Sequence, residues 1–343
     1  MEKKEHIYTY DFIKLMMAVI IALLHYNYKL VPQGYLCVEG FFLLGGFFLI
    51  SNQQLEYESF SKLIYNKFKK LYPMYLGTII LSLIFCRDAF TLDSFFKNLI
   101  YMQAIGFLDT VIPTMVPLWY MSVYIWCSIL FLGLFKNWEK GKANFICLII
   151  CFGSFLCLYT FNPGHAFNYS LEKFIILPVG FIRGMANMSL GILLFSIYQK
   201  IKTINFNGIR RVSEFVVFLQ IIITILIIKI ICFSGITAEY DFTFVILCSL
   251  LVILIQINSK IFNKQHIFNK LKFNFRYLSE LSYPIYLYHY FVIFLMKGNY
   301  SQYVLNSTIF YLFIVIVVAI IILEINKIIK KLLLGVIFHE KEC

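Results

Sequence analysis

The sequence predicts an all-α integral membrane protein with about ten transmembrane helices and both termini in the cytoplasm. Three observations carry this. Apolar residues make up 61% of the 343-residue chain and charged ones only 14%, where a soluble domain holds about 25% charge. The mean hydropathy of +0.80 means more apolar surface than a water-soluble fold can hide. Lys and Arg gather in alternate gaps between apolar runs, as the positive-inside rule requires. The formal net charge of +12 therefore reports orientation in a lipid bilayer, and nucleic acid is not an expected partner.

A spanning helix needs about 20 mostly apolar residues. The candidates are residues 11–28, 35–51, 70–87, 116–135, 144–161, 174–198, 212–233, 240–257, 278–297 and 302–326. With the N-terminus inside, the cytoplasmic segments 1–10, 51–70, 136–143, 199–211, 258–277 and 327–343 hold 22 Lys and Arg residues, against 5 in the outer loops. The first span does not read as a cleaved signal, because it lacks an A-x-A-like exit and contains Asp11, Lys14 and His25. The chain reads as a single membrane-embedded domain over 1–343, its motifs concentrated in about 10–330. It carries neither an inverted repeat of the transporter kind nor a separate soluble domain. The outer loop 88–115 contains "SFFKNLIYMQAIGF", which suits a short helix at the membrane surface. The nine cysteines fall almost wholly in apolar runs, without C-x-x-C pairs or Cys/His clusters. No disulfide, metal or bound cofactor is expected.

Ionisable residues within spans are costly and mark candidate sites. Lys14 and His25 are eleven residues apart, so they share a helix face to within about 20°. His25 lies about 16 Å further outward. Asp11 falls within about 40° of that face. The stripe reads either as a lined path or as snorkelling side chains near the two interfaces. Glu39 opens the second span, whose short connection from the first makes the two antiparallel neighbours. A carboxylate beside an imidazole would fix its tautomer and stabilise its protonated form, which suits a general base. Lys67, Lys69 and Lys70 precede Tyr72 at the cytoplasmic entrance of span three, where a phosphate-rich ligand would meet them. Arg183 in span six calls for an acid or a cavity. Trp119 suits an interfacial belt. His289, near mid-depth, reads equally as a packed imidazole and as a site-lining one. Glycines 45 and 46 allow close helix approach.

These motifs together resemble the acyltransferase 3 family of membrane O-acyltransferases. The family's first helix carries an aspartate, then Arg, ten residues and His; here Asp11, Lys14 and His25 correspond, with lysine for arginine. "VEGFFLLGGF" resembles its second-helix pattern, with Glu39 at the acidic position and Gly45 for a serine. "KFKKLYPMY", "FFKNLIYMQ", "PLWYMSV", "RGMANMSLGIL" and "LSYPIYLYH" follow in the family's order. The resemblance implies transfer of an acyl group, often acetyl, from cytoplasmic acyl-CoA as co-substrate to a hydroxyl. The acceptor would be an extracytoplasmic polysaccharide or lipid-linked glycan at a bacterial cytoplasmic (inner) membrane, with separate glycan-assembly proteins as partners. On this reading His25 removes the hydroxyl proton or carries the acyl group, and Glu39 orients it. Lys14, Lys67, Lys69, Lys70 and Tyr72 bind the donor. Asp11, Trp119, Arg183, Tyr286 and His289 line the site. Lysine lacks arginine's bidentate fork, which changes the contact expected at position 14. A transporter or flippase of glycan or lipid-linked substrates is the alternative, the stripe then being a permeation path.

The charge distribution fixes a test. A reporter active only outside the membrane should be silent when fused after Cys343 and active within loop 88–115. The opposite pattern would remove the cytoplasmic entrance.

Overall fold

The structure is a computed structural model. It describes residues 7–51, 54–105, 113–162, 164–167, 173–174, 177–203, 210–235, 237–262, 272–299 and 308–339. Both chain ends, part of the outer loop (106–112) and part of the predicted cytoplasmic segment 258–277 (263–271) lie outside the described residues. The helices are α1 (Tyr8–Tyr26), α2 (Leu36–Ile50), α3 (Gln54–Tyr57), α4 (Phe60–Phe85), α5 (Leu92–Leu99), α6 (Trp119–Asn137), α7 (Lys140–Phe161), α8 (Val179–Lys202), α9 (Arg210–Phe233), α10 (Ala238–Phe262), α11 (Lys272–Asn299) and α12 (Thr308–His339). A two-residue hairpin, β1 (Lys173–Phe174) and β2 (Leu177–Pro178), precedes α8.

Each expected span overlaps one long helix among the described residues, residues 175–176 and 302–307 of two spans lying outside them, and the chain is an all-α, multi-pass membrane protein. Eight of the described helices are long and apolar enough to cross a bilayer; α2, at 15 residues, and α11 are the other two that fall on expected spans. Two boundaries move substantially: α12 continues to His339, past the expected end at 326, and the start of α4 shifts. α4 begins at Phe60 rather than at 70, because the Ser59 side chain caps it by accepting from the Lys62 N–H at 3.3 Å. The basic stretch 67–70 therefore rides on a helix that continues through Tyr72. The expected surface helix is α5, closed by a capping box between Thr91 and Ser94.

α1 runs along α11, α2 along α8, α7 against the other side of α8, α9 along α10, and α12 along α11. Most of α2 is buried. Its approach to α8 is set by glycine: a Cβ on Gly46 would lie 2.0 Å from the Met188 carbonyl oxygen, and one on Gly191 2.0 Å from that of Leu43. Backbone cannot step aside as a flexible side chain can, so these positions exclude any other residue at this spacing. α7 instead turns Phe145, Ile149, Phe152 and Leu156 outward, as a lipid-facing helix does. Beneath the hairpin, α7 and α8 part to leave an apolar slot of about 490 Å³ lined by Ser154, Cys157, Phe174, Phe181 and Met185.

Gly191→Val should destabilise the detergent-solubilised protein by at least the roughly 1–3 kcal/mol typical of overpacking. Gly153→Ala, where a Cβ meets nothing within 4 Å, should be neutral or stabilise by up to about 1 kcal/mol. Equal thermal shifts for the two would deny the α2–α8 contact.

Candidate active site

Glu39 is 1% exposed in the first turn of α2. Its Oε1 accepts from Arg183 Nε at 2.8 Å and from Arg183 Nη2, and its Oε2 accepts from Asn187 Nδ2 at 2.6 Å. The Arg183 guanidinium lies over the Trp119 ring, 4.8 Å from its centroid, and 5.9 Å from that of Phe167. This corrects the expectation that Glu39 orients His25. The glycine contacts draw α2 onto α8, so the carboxylate is taken up by α8 groups while His25 faces α11. Arg183 thus has the acid that an intramembrane arginine requires. Asn187 went unnoticed in the sequence, although its place one turn beyond Arg183 puts both on one helix face.

His25 is exposed. Its ring lies 5.2 Å from that of His289 at an interplanar angle of 21°, and 5.2 Å from that of Tyr290, edge-on. His289 is fully buried. Its Nδ1 sits 2.8 Å from the Tyr286 carbonyl oxygen and 3.2 Å from that of Ile285. Carbonyls only accept, so Nδ1 carries the proton and Nε2 presents a lone pair. That Nε2 is buried without a partner among the described residues, a situation that costs about 1–3 kcal/mol. Tyr286 donates to the Pro117 carbonyl and its ring is 6.1 Å from that of His289. Asp11, also buried, accepts from Ser279 of α11 at 2.8 Å. Asp11 and His25 therefore both face α11, as their shared stripe requires.

Lys14 lies over the Phe48 ring at 4.7 Å and within electrostatic reach of Asp11, Lys70 and Tyr124. Lys67 donates to the Tyr124 hydroxyl at 3.0 Å and to Ser128 Oγ at 2.8 Å. Lys14, Lys67 and Lys70 all act electrostatically on Tyr124. Lys67 and Lys70 are three residues apart and share a face; Lys69, about 200° from Lys67, is exposed, with Nζ 6.0 Å from the Tyr65 ring centroid. The structure thus brings three of the four lysines together and leaves Lys69 out. Tyr124 and Ser128 were not singled out in the sequence, because aromatic and hydroxyl residues in an apolar helix carry no signal of their own.

Tyr72 belongs to an aromatic cluster with Phe68, Tyr75 and Tyr101. Tyr101 follows α5 and turns inward, stacking on Tyr75 at 4.0 Å. Its carbonyl accepts from Ser122 Oγ and from Trp126 Nε1 at 3.0 Å. It holds φ at 59°, a strained choice for a bulky residue, at a cost of order 1–3 kcal/mol. Burial pushes its hydroxyl up from the ordinary tyrosine range, so the phenol stays protonated. A further polar cluster was hidden by sequence distance. Asp241, at the start of α10, accepts from the Tyr35 hydroxyl at 2.6 Å and from the Phe167 N–H at 3.2 Å, and pairs with His165 Nδ1 at 3.2 Å. It braces the segment that sets Phe167 beside Arg183.

An accessible imidazole on α1 and a set of cations on α1 and α4 thus share one multi-pass helical bundle. The sequence pattern of the acyltransferase 3 family, described as an acyltransferase domain, matches residues 7–324, and the protein belongs to that family. It is a membrane acyltransferase. No curated protein and no solved structure matches the chain significantly.

The Glu39–Arg183 pair generates a stability test. Removing one partner from a buried pair costs about 3–5 kcal/mol, so Glu39→Ala and Arg183→Met should each destabilise by that order. The double variant Glu39→Gln/Arg183→Met should cost less than the sum of its single changes, measured by thermal unfolding in detergent. Additive losses would mean the two groups do not interact.

Proposed function

We propose that this acyltransferase moves an acyl group, acetyl in the simplest case, from cytoplasmic acyl-CoA to a hydroxyl of an extracytoplasmic polysaccharide or lipid-linked glycan. The host membrane would be a bacterial cytoplasmic (inner) membrane, with separate glycan-assembly proteins supplying the acceptor. The observation that carries this reading is the exposed His25 imidazole, set about 16 Å along one helix from Lys14. That offset is of the order of a pantetheine arm. Lys14, Lys67 and Lys70 offer charge to the donor's phosphates at one end, and His25 works at the thioester at the other. The acceptor oxygen attacks the thioester carbonyl carbon, directly or through an acyl group held by His25. The C–S bond breaks, and the CoA thiol leaves with the proton that the hydroxyl gives up. Glu39 and Arg183 act here by holding α2 against α8, and Trp119 by bearing on the guanidinium.

The reading is tested on the host's surface glycans, compared by mass spectrometry between cells carrying the wild-type gene, His25→Ala or no gene. The acetyl increment should be present in the first and missing from the others at equal membrane expression. Lys14→Met should weaken acetyl-CoA binding to the purified protein about tenfold or more, since a hydrogen bond to a charged group contributes about 1.5–3 kcal/mol. Lys14→Arg should preserve that binding. Full glycan acetylation by His25→Ala would refute the catalytic role.

A further inference from the structure

The His25–His289 pair holds more than one catalytic imidazole needs. A general base must present a lone pair in a fixed tautomer, held by a partner on its other nitrogen. His25 is exposed, and its described contacts are with rings. His289 meets the requirement: Nδ1 donates to the Tyr286 carbonyl at 2.8 Å, and Nε2 is a buried acceptor without a partner among the described residues. Packing does not explain that atom. The ring alone fills the space against Tyr286, Tyr290 and His25, and an apolar ring would do so without burying an unpaired acceptor. The orphan nitrogen is on the ring stacked against the exposed one, where a hydroxyl reaching His25 would come within range.

We propose that His289 Nε2 takes the proton of the acceptor hydroxyl while His25 carries the acyl group. The inference rests on the reading of His25 as the catalytic imidazole. In the first step a His25 ring nitrogen attacks the thioester carbonyl carbon and the C–S bond breaks. The departing thiolate takes the proton from the other His25 nitrogen, giving the CoA thiol and a neutral acyl-imidazole. In the second step the acceptor oxygen attacks the acyl carbon as its proton passes to His289 Nε2, and the C–N bond breaks. The His25 ring then recovers a proton from the His289 imidazolium, and both rings return to their starting state. The hydroxyl acceptor satisfies Nε2 on binding, so an atom without a partner among the described residues selects for a donor group rather than for apolar surface.

The two half-reactions separate the roles. Exchange of labelled CoA into acetyl-CoA, measured on the purified protein without acceptor, reads the first step; glycan acetylation in host cells reads both. His289→Gln leaves an amide N–H for the Tyr286 carbonyl but cannot take a proton. It should retain exchange within a few-fold of wild type, while glycan acetylation falls by about 10²–10⁴, the contribution of a general base. His25→Ala should abolish exchange. Equal loss of exchange and transfer in His289→Gln would overturn the proposal in favour of a structural or donor-side role, as would unimpaired transfer. Absence of exchange in the wild-type protein would overturn the acyl-carrying step. Survival of exchange and transfer in His25→Ala would instead refute the reading on which the inference rests.

Discussion

The buried pair of Glu39 and Arg183 is the constraint on which the rest of the bundle's interior depends. Two charges taken out of water are tolerated only when geometry and further hydrogen bonds satisfy them. Here the guanidinium fork meets Oε1, Asn187 meets Oε2, and the Trp119 and Phe167 rings cover the cation. Such an arrangement needs the helices to stay at one spacing. Gly46 and Gly191 supply that spacing by letting backbone touch backbone. The pair and the glycines are therefore one device: close approach makes the ion pair possible, and the ion pair penalises separation.

With α2 committed to α8, α1 turns its polar side chains toward different neighbours. α1 meets α11 through Asp11–Ser279 at one level and His25–His289 at another. Lys14 lies between those levels in sequence but reaches across to Phe48 of α2 and toward the lysines of α4. The stripe on α1 thus meets two neighbours, α11 through Asp11 and His25 and α2 through Lys14.

Much of this was legible in the sequence. The apolar runs marked the long helices, and the spacing of Asp11 and His25 marked a face that the structure turns to α11, while Lys14 reaches to α2. Arg183 announced that it needed a partner. The identity of that partner was not legible, because neighbouring helices in sequence suggested Glu39 beside His25, and helix rotation is decided by glycine contacts that no local pattern encodes. The α4 boundary was missed because the polar stretch 61–70, with Lys62, Lys67, Lys69 and Lys70, has low hydropathy yet is helical from Phe60 under a serine cap. The Tyr35–Asp241–His165 cluster joins residues far apart in the chain, which composition and period cannot reveal. Lys69 stands apart from Lys67 for a reason that was readable, its place on the opposite side of the helix.

The inward turn at Tyr101 has a consequence for the membrane itself. Its ring is stacked on Tyr75 and abuts Phe68 and Tyr72, while α6 clasps its carbonyl from the other side. A multi-pass bundle that buries polar side chains must still keep water and ions from running through its interior. Interlocked aromatic rings, drawn inward by the segment after α5 and held in a strained backbone conformation, fill the space between α4 and α6 with packed surface rather than with water.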